Sequence, residues 1–353
     1  MVYRKRPDMT LPYLTPFIAP IGAEFRSTPE DFEVEEVPAY GPSGTGEHVF
    51  AFIEKRGLTT KDAVRLLCER VGMDPRSAGW AGLKDRHAVT RQWISIHGAS
   101  PDALRQAEVE GIRVLEAVPH TQKLRTGHLR ANRFRIRLRN VDPGRIEDLR
   151  RLLSAVEAQG LPNYYGEQRF GRDGDNATRA MAWVLGDARP PRSAFQRKLQ
   201  MSAIQSEIFN RCVADRVQSS TLGKVFPGDL MKKHESGGLF VAPDVEDAQA
   251  RADAWEISPT GPMFGAKMRW PEDEARDREE ALLEASGLTR DALAKWKRLA
   301  PGTRRFVRVP VPNLGLTVSD NTVALDFTLP AGSYATILVR EILKRDAPPP
   351  KTG

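Results

Sequence analysis

Between Asn132 and Arg139 the chain alternates cleanly, with Asn132, Phe134, Ile136 and Leu138 on one side and Arg133, Arg135, Arg137 and Arg139 on the other. A period of two is specific to a β-strand with one face buried. A similar signal follows the turn Thr28-Pro29, where Phe32 and Val34 share a face, and others lie at Val49–Ile53 and Gln92–His97. Helical spacing intervenes twice. Thr59 or Thr60 can cap a helix to about Val71, with Val64, Leu67, Cys68 and Val71 as its buried stripe, and Ile146, Leu149, Leu153 and Val156 mark another that stops at Gly160.

From Pro162 to about Pro310 the patterns turn mostly helical, at 177–185, 197–217, 275–285 and 290–299, with one hairpin-like stretch at 228–241. Strand patterns return at 306–309, 314–318 and 322–329, and a helix from Ser333 to Leu343 closes the fold before a proline-rich tail expected to be disordered. This succession predicts an α+β fold: residues 1–161 and 310–353 form one discontinuous domain on a mixed, mostly antiparallel sheet, and 162–309 form an inserted, largely helical α+β domain.

The 353 residues, 40% hydrophobic and 28% charged, have the composition of a soluble globular protein. No segment approaches the roughly 18 apolar residues of a membrane span, and the basic N-terminus lacks the apolar core of a secretory signal. Cys68 and Cys212 stand alone in helix-like patterns, which predicts buried free thiols in a reducing, cytoplasmic compartment. With scattered histidines and no ligand spacing, no metal site is expected. Lys and Arg outnumber Asp and Glu by 53 to 46, and the surplus is uneven: Ala117–Val141 holds seven cations and no acid. Such concentration suits a polyanion, although arginines on a solvated strand would look the same.

One further stretch carries chemistry. In Gly82-Leu83-Lys84-Asp85-Arg86-His87-Ala88-Val89-Thr90-Arg91-Gln92-Trp93 a carboxylate stands between two cations beside a glycine turn. That suits a nucleophile or a charge stabiliser better than a general acid, while a solvated turn aspartate is the plain alternative. The stretch resembles the signature of the TruD-type tRNA pseudouridine synthases. Pro29-Glu30-Asp31-Phe32, Asn132-Arg133-Phe134, Pro162-Asn163-Tyr164-Tyr165-Gly166-Glu167-Gln168-Arg169-Phe170-Gly171 and Leu329-Pro330-Ala331-Gly332-Ser333-Tyr334-Ala335-Thr336 resemble the family's other blocks, in the same order.

The resemblance implies a pseudouridine synthase domain built from both ends of the chain, an inserted domain peculiar to this branch, and isomerisation of a tRNA uridine, position 13 of the D arm. It implies Asp85 as the catalytic carboxylate, with Phe134 and Asn132 as active-site residues. Spacing alone would put Phe134 in the core. Arg26 stands where relatives more often have lysine, which replaces a point charge by a planar fork. Gln92 is placed beside the substrate, behind the first contacts, and His87 is given a structural or RNA-facing place. Arg133, Arg135, Arg137, Lys123, Arg125, Arg130, Arg169 and Arg172 are candidates for the RNA backbone, with a packed hinge as the alternative for the block around Arg169. The reaction moves no redox equivalent or donated group, and the chain has no phosphate-binding glycine loop, so no cofactor is expected. The expected partner is tRNA, with no membrane, no required protein partner and a monomeric chain. The rival readings are a non-catalytic tRNA-binding or RNA-chaperone protein and, more weakly supported, an RNA methyltransferase.

Overall fold

The computed structural model describes residues 10–171 and 173–345, so Arg172, the N-terminal basic segment and the proline-rich tail lie outside the described residues. Two compact units divide the chain. One holds Pro20–Leu153 and Val311–Ala335; the other holds Ser154–Pro310, Thr336–Lys344 and the described residues before Pro20.

The first unit is built on a mixed sheet. Its main strands are β1 (Phe32–Pro38), β2 (His48–Arg56), β3 (Val89–His97), β4 (Ile112–His120), β5 (Leu129–Arg139), β6 (Gly315–Ser319) and β7 (Thr322–Pro330), in spatial order β6-β7-β5-β1-β3-β2-β4. Only β1 and β3 pair in parallel along that path. In β5, Phe134, Ile136 and Leu138 are buried while Arg133 and Arg135 are exposed, as the alternation predicts. Helix α1 (Thr60–Arg70) is capped by the Thr59 side chain, which accepts from Asp62 N. It packs Val64, Leu67 and Cys68 against Val49, Ala51, Ile53, Ile94 and Ile96 of β2 and β3. Burying such side chains stabilises the fold by roughly 1.5–3 kcal/mol each. Strand β4 gave no clear sequence signal, because it lies at the sheet edge and buries only Ala117 and His120.

The second unit is largely helical. Helices α2 (Asn176–Leu185), α3 (Ala194–Gln218) and α4 (Asp273–Ser286) enclose Ala180, Trp183, Met201, Ile204, Ile208, Phe264 and Leu283. The helix predicted over 290–299 is helical only at Arg290–Lys295. A four-stranded sheet contains the expected hairpin (Leu230–Lys233 and Leu239–Val241) and a fully buried strand, Ile257–Met263, that the sequence hides behind Pro259 and Pro262. Proline usually disqualifies an inner strand. Here Ile257–Pro259 pair with one neighbour and Thr260–Met263 with the other, so each position needs a partner on one side only. Cys68 and Cys212 are both free thiols; Cys68 is buried, and Cys212 only partly so. Among the described residues no helix is long and apolar enough to cross a membrane, and no group of three or more His, Cys, Asp or Glu could hold a metal ion.

Candidate active site

The segment from Ala81 to Ala88 enters β3 without regular structure, yet it is fastened along its length. Gly127 N donates to Ala81 O at 2.9 Å, and Lys84 N donates to Thr60 Oγ1 at 2.9 Å. The same Thr60 hydroxyl donates to Gln92 Oε1 at 2.9 Å, while Gln92 Nε2 donates to Gly82 O at 3.2 Å. Gln92, expected beside the substrate but behind the first contacts, is fully buried, with both ends of its amide bonded to Thr60 and the loop backbone. It fixes the loop and has no surface to offer a ligand.

Lys55 supplies the deepest anchor. Its ammonium donates to Asp85 O and Leu58 O, each at 2.7 Å, from a side chain with no solvent exposure. Burial pulls its pKa down to about 8, against the opposing pull of the Asp85 charge. The sequence does carry a signal for Lys55. It falls on the face of β2 occupied by Val49, Ala51 and Ile53, where a solvated lysine would not belong.

Among the described residues the Asp85 carboxylate accepts two hydrogen bonds, and it keeps 22% of its side chain exposed. Arg26 Nη2 donates to Oδ2 at 2.9 Å, and His87 backbone N donates to Oδ1 at 3.0 Å. The second bond is an Asx-type turn, which sets the carboxylate angle from its own backbone. His87 thus takes part through its main chain. Arg26 is 6% exposed, and its guanidinium lies 4.4 Å from the Phe32 ring centroid and 5.2 Å from that of Phe25. Its backbone has φ +61°, a left-handed conformation that costs a non-glycine residue roughly 1–2 kcal/mol. Burial lowers the Arg26 pKa from its ordinary value, and the Asp85 charge opposes that shift. Arg26 Nε is buried without a hydrogen-bond partner among the described residues.

A second charged pair stands beside this one. Lys84 Nζ lies 3.0 Å from Glu36 Oε2 and donates to Asn132 Oδ1 at 2.9 Å. Glu36 is 2% exposed, and burial raises its pKa against the pull of Lys84. Its sequence signal resembles that of Lys55, since Glu36 continues the buried face of Phe32 and Val34. Asn132 and Phe134 point to one face of β5, as predicted. Phe134 is 8% exposed and flanked by Phe32 and Phe327, with ring centroids 6.1 and 5.3 Å away and planes inclined by 30° and 22°.

The opposite face of β5 differs from its expected character. Arg133 pairs with Glu35 at 3.2 Å, Arg135 with Asp326 at 2.8 Å, Arg137 with Glu33 at 2.9 Å and Arg139 with Asp31 at 2.7 Å. Its positive charge is balanced by acids of β1, of β7 and of the short turn Pro29–Asp31 before β1. Lys123, whose ammonium donates to Arg76 O at 2.9 Å, and the exposed Arg125 and Arg130 form no ion pair among the described residues. In the second unit, Arg169 Nε donates to Ser206 Oγ at 3.1 Å, and its guanidinium lies 5.2 Å from the Tyr165 ring centroid. Its block is tied inward by Asn210, which accepts from Tyr165 N at 2.8 Å and donates to Tyr165 O at 2.9 Å.

The chain that carries this arrangement has counterparts among known proteins. The family described as tRNA pseudouridine synthase D matches residues 10–188 and 192–342. A tRNA pseudouridine synthase D of Anaeromyxobacter dehalogenans (strain 2CP-1) is 44% identical over 97% of this chain and 98% of its own. One from Thermus thermophilus is 42% identical over 95% and 93%. The crystal structure of a protein from Methanosarcina mazei, titled a putative tRNA pseudouridine synthase D, shares the fold with a TM-score of 0.77 at 21% identity, over 95% of this chain and 96% of that one. By the extent of these matches, the chain belongs to the TruD family of tRNA pseudouridine synthases.

Proposed function

We propose that Asp85 is the carboxylate through which this enzyme isomerises uridine to pseudouridine in tRNA, and that its target is uridine 13 of the D arm. The observation that carries the reading is the state of Asp85, which is held on both oxygens yet keeps part of its side chain open. The chemistry breaks the bond from C1′ to N1 of the base, turns the base and joins C1′ to C5. The proton on C5 leaves and N1 gains one, so the product is an isomer and no co-reactant enters. A fixed carboxylate can begin this exchange by attack on C1′ or by taking a sugar proton. Arg26 would hold the carboxylate in place, while Asn132 and Phe134 would meet the base, since a base taken from its stack is commonly held against an aromatic side chain.

Lys123, Arg125 and Arg130 are the cations best able to follow the RNA backbone, because among the described residues they have no carboxylate to give up. Arg133, Arg135 and Arg137 would first have to exchange their acidic partners for phosphate. Residues 162–309 would act as the inserted domain and contribute Arg169. The position of the target rests on the family resemblance. Purified protein incubated alone with unmodified tRNA, followed by carbodiimide treatment and primer extension, tests the reading. A new stop reporting position 13 is expected. A stop elsewhere would refute the position, and no stop, or one requiring an added methyl donor, would refute the activity.

A further inference from the structure

We propose that Lys84 locks the side-chain amide of Asn132 so that its Nδ2 hydrogens face the substrate and donate to a carbonyl of the uracil ring. This deepens the reading of Asp85 as the catalytic carboxylate and rests on it. An asparagine amide can usually be turned over without a visible change in shape, so which end faces a ligand is open. Here the neighbour decides. A lysine ammonium has three donors and no acceptor, so the Asn132 atom 2.9 Å from Lys84 Nζ must be the oxygen. Nδ2 then points away from Lys84, and it has no hydrogen-bond partner among the described residues on a half-buried side chain.

The lock is itself immobilised. Lys84 Nζ sits 3.0 Å from Glu36 Oε2, with side chains 6% and 0% exposed, and separating such a pair would leave a buried charge uncompensated. Glu36 and Asn132 are also directly opposite each other in the β1–β5 register, so carboxylate, ammonium and amide are supported by paired strands. Lys84 precedes Asp85 in the chain, and its backbone N is held by Thr60. The carboxylate and the amide are thus fixed from one loop.

The consequence is chemical. Uracil presents two carbonyl oxygens and one N–H on its polar edge. An amide held with its NH₂ outward accepts nothing and pairs only with a carbonyl. Asn132 would be a binding residue for the base, and Lys84, acting through it, a positioning residue.

The test uses the full-length protein and tRNA carrying uridine, 2-thiouridine or 4-thiouridine at the target, because sulfur accepts hydrogen bonds more weakly than oxygen. One of the two thio substrates should slow the wild-type single-turnover rate by about tenfold or more. Asn132→Asp removes the donor but can still accept from Lys84; its rate on uridine should fall, and the sulfur penalty should shrink to near unity. Lys84→Met combined with Glu36→Gln removes the lock without stranding a charge, and it too should reduce the penalty several-fold at an unchanged melting temperature. Asn132→Asp carries the test if that double variant does not fold. Normal wild-type turnover on both thio substrates would overturn the inference, as would a full sulfur penalty surviving in Asn132→Asp or in the folded double variant. A wild-type protein inactive on the uridine transcript would count against the Asp85 reading instead.

Discussion

The two faces of β5 carry charge in opposite ways. On one, Asn132 and Phe134 adjoin a cluster in which Arg26, Lys55 and Lys84 are largely withdrawn from water around Asp85 and Glu36. On the other, four arginines meet four acids in a ladder open to solvent on the arginine side. The two most exposed pairs, Arg133–Glu35 and Arg135–Asp326, contribute roughly 0.2–1 kcal/mol each, while removing one partner of a buried pair costs about 3–5 kcal/mol. A run of arginines in the sequence is therefore a weaker guide to function than a few charges set among apolar neighbours.

If the comparison holds, its largest effects lie at Arg26. Arg26→Met removes the cation from Asp85 Oδ2 and should lower the single-turnover rate by about a hundredfold, which corresponds to roughly 2.7 kcal/mol. Arg26→Lys should stay within about tenfold of wild type, because a single nitrogen of the fork reaches Asp85 and Nε has no partner to lose. A lysine variant as impaired as the methionine variant would mean that the planar fork itself is needed.

Phe134 sets the boundary between site and core. As a wall for the base, it should lose roughly tenfold in turnover as Phe134→Leu while its melting temperature changes little, since base–aromatic contact is worth about 1–3 kcal/mol. Its near-parallel neighbours Phe32 and Phe327 argue for packing as well. A lower melting temperature with unchanged turnover would return Phe134 to the core.

The smallest effect is expected on the ladder. Each lost phosphate contact lowers the salt slope of log affinity by roughly 0.7–0.9. Arg135→Ala with Arg137→Ala should move that slope by less than a single contact, whereas Arg125→Ala with Arg130→Ala should move it by about two. Filter binding of tRNA across a salt series compares them directly, and the reverse order would show that the ladder opens for RNA.

The sequence made the strand legible but not its neighbours. The β5 alternation, the α1 cap and the Asp85 loop are local patterns, each readable within a dozen or so residues. The partners of the ladder are not local: Glu35 lies 98 positions from Arg133, and Asp326 lies 191 from Arg135. No spacing rule reaches across such separations, so arginines that pair with acids read as free positive charge. Lys55 and Glu36 were available in principle, each an ionisable residue on the buried side of an alternating strand. What the pattern could not supply was their partners, the Asp85 carbonyl for one and Lys84 for the other. The partners of Gln92 were hidden for the same reason, because the hydroxyl and carbonyl that occupy its amide come from α1 and from the loop.

The most direct measurement is the single-turnover rate of Asp85→Asn on unmodified tRNA, taken beside its melting temperature and its tRNA affinity. The change keeps the side-chain shape and the oxygen that accepts from His87 N, and it removes the charge. Turnover should be abolished while folding and affinity stay close to wild type. A rate above a tenth of wild type would contradict the catalytic role of Asp85, and an unfolded protein would mark it as structural instead.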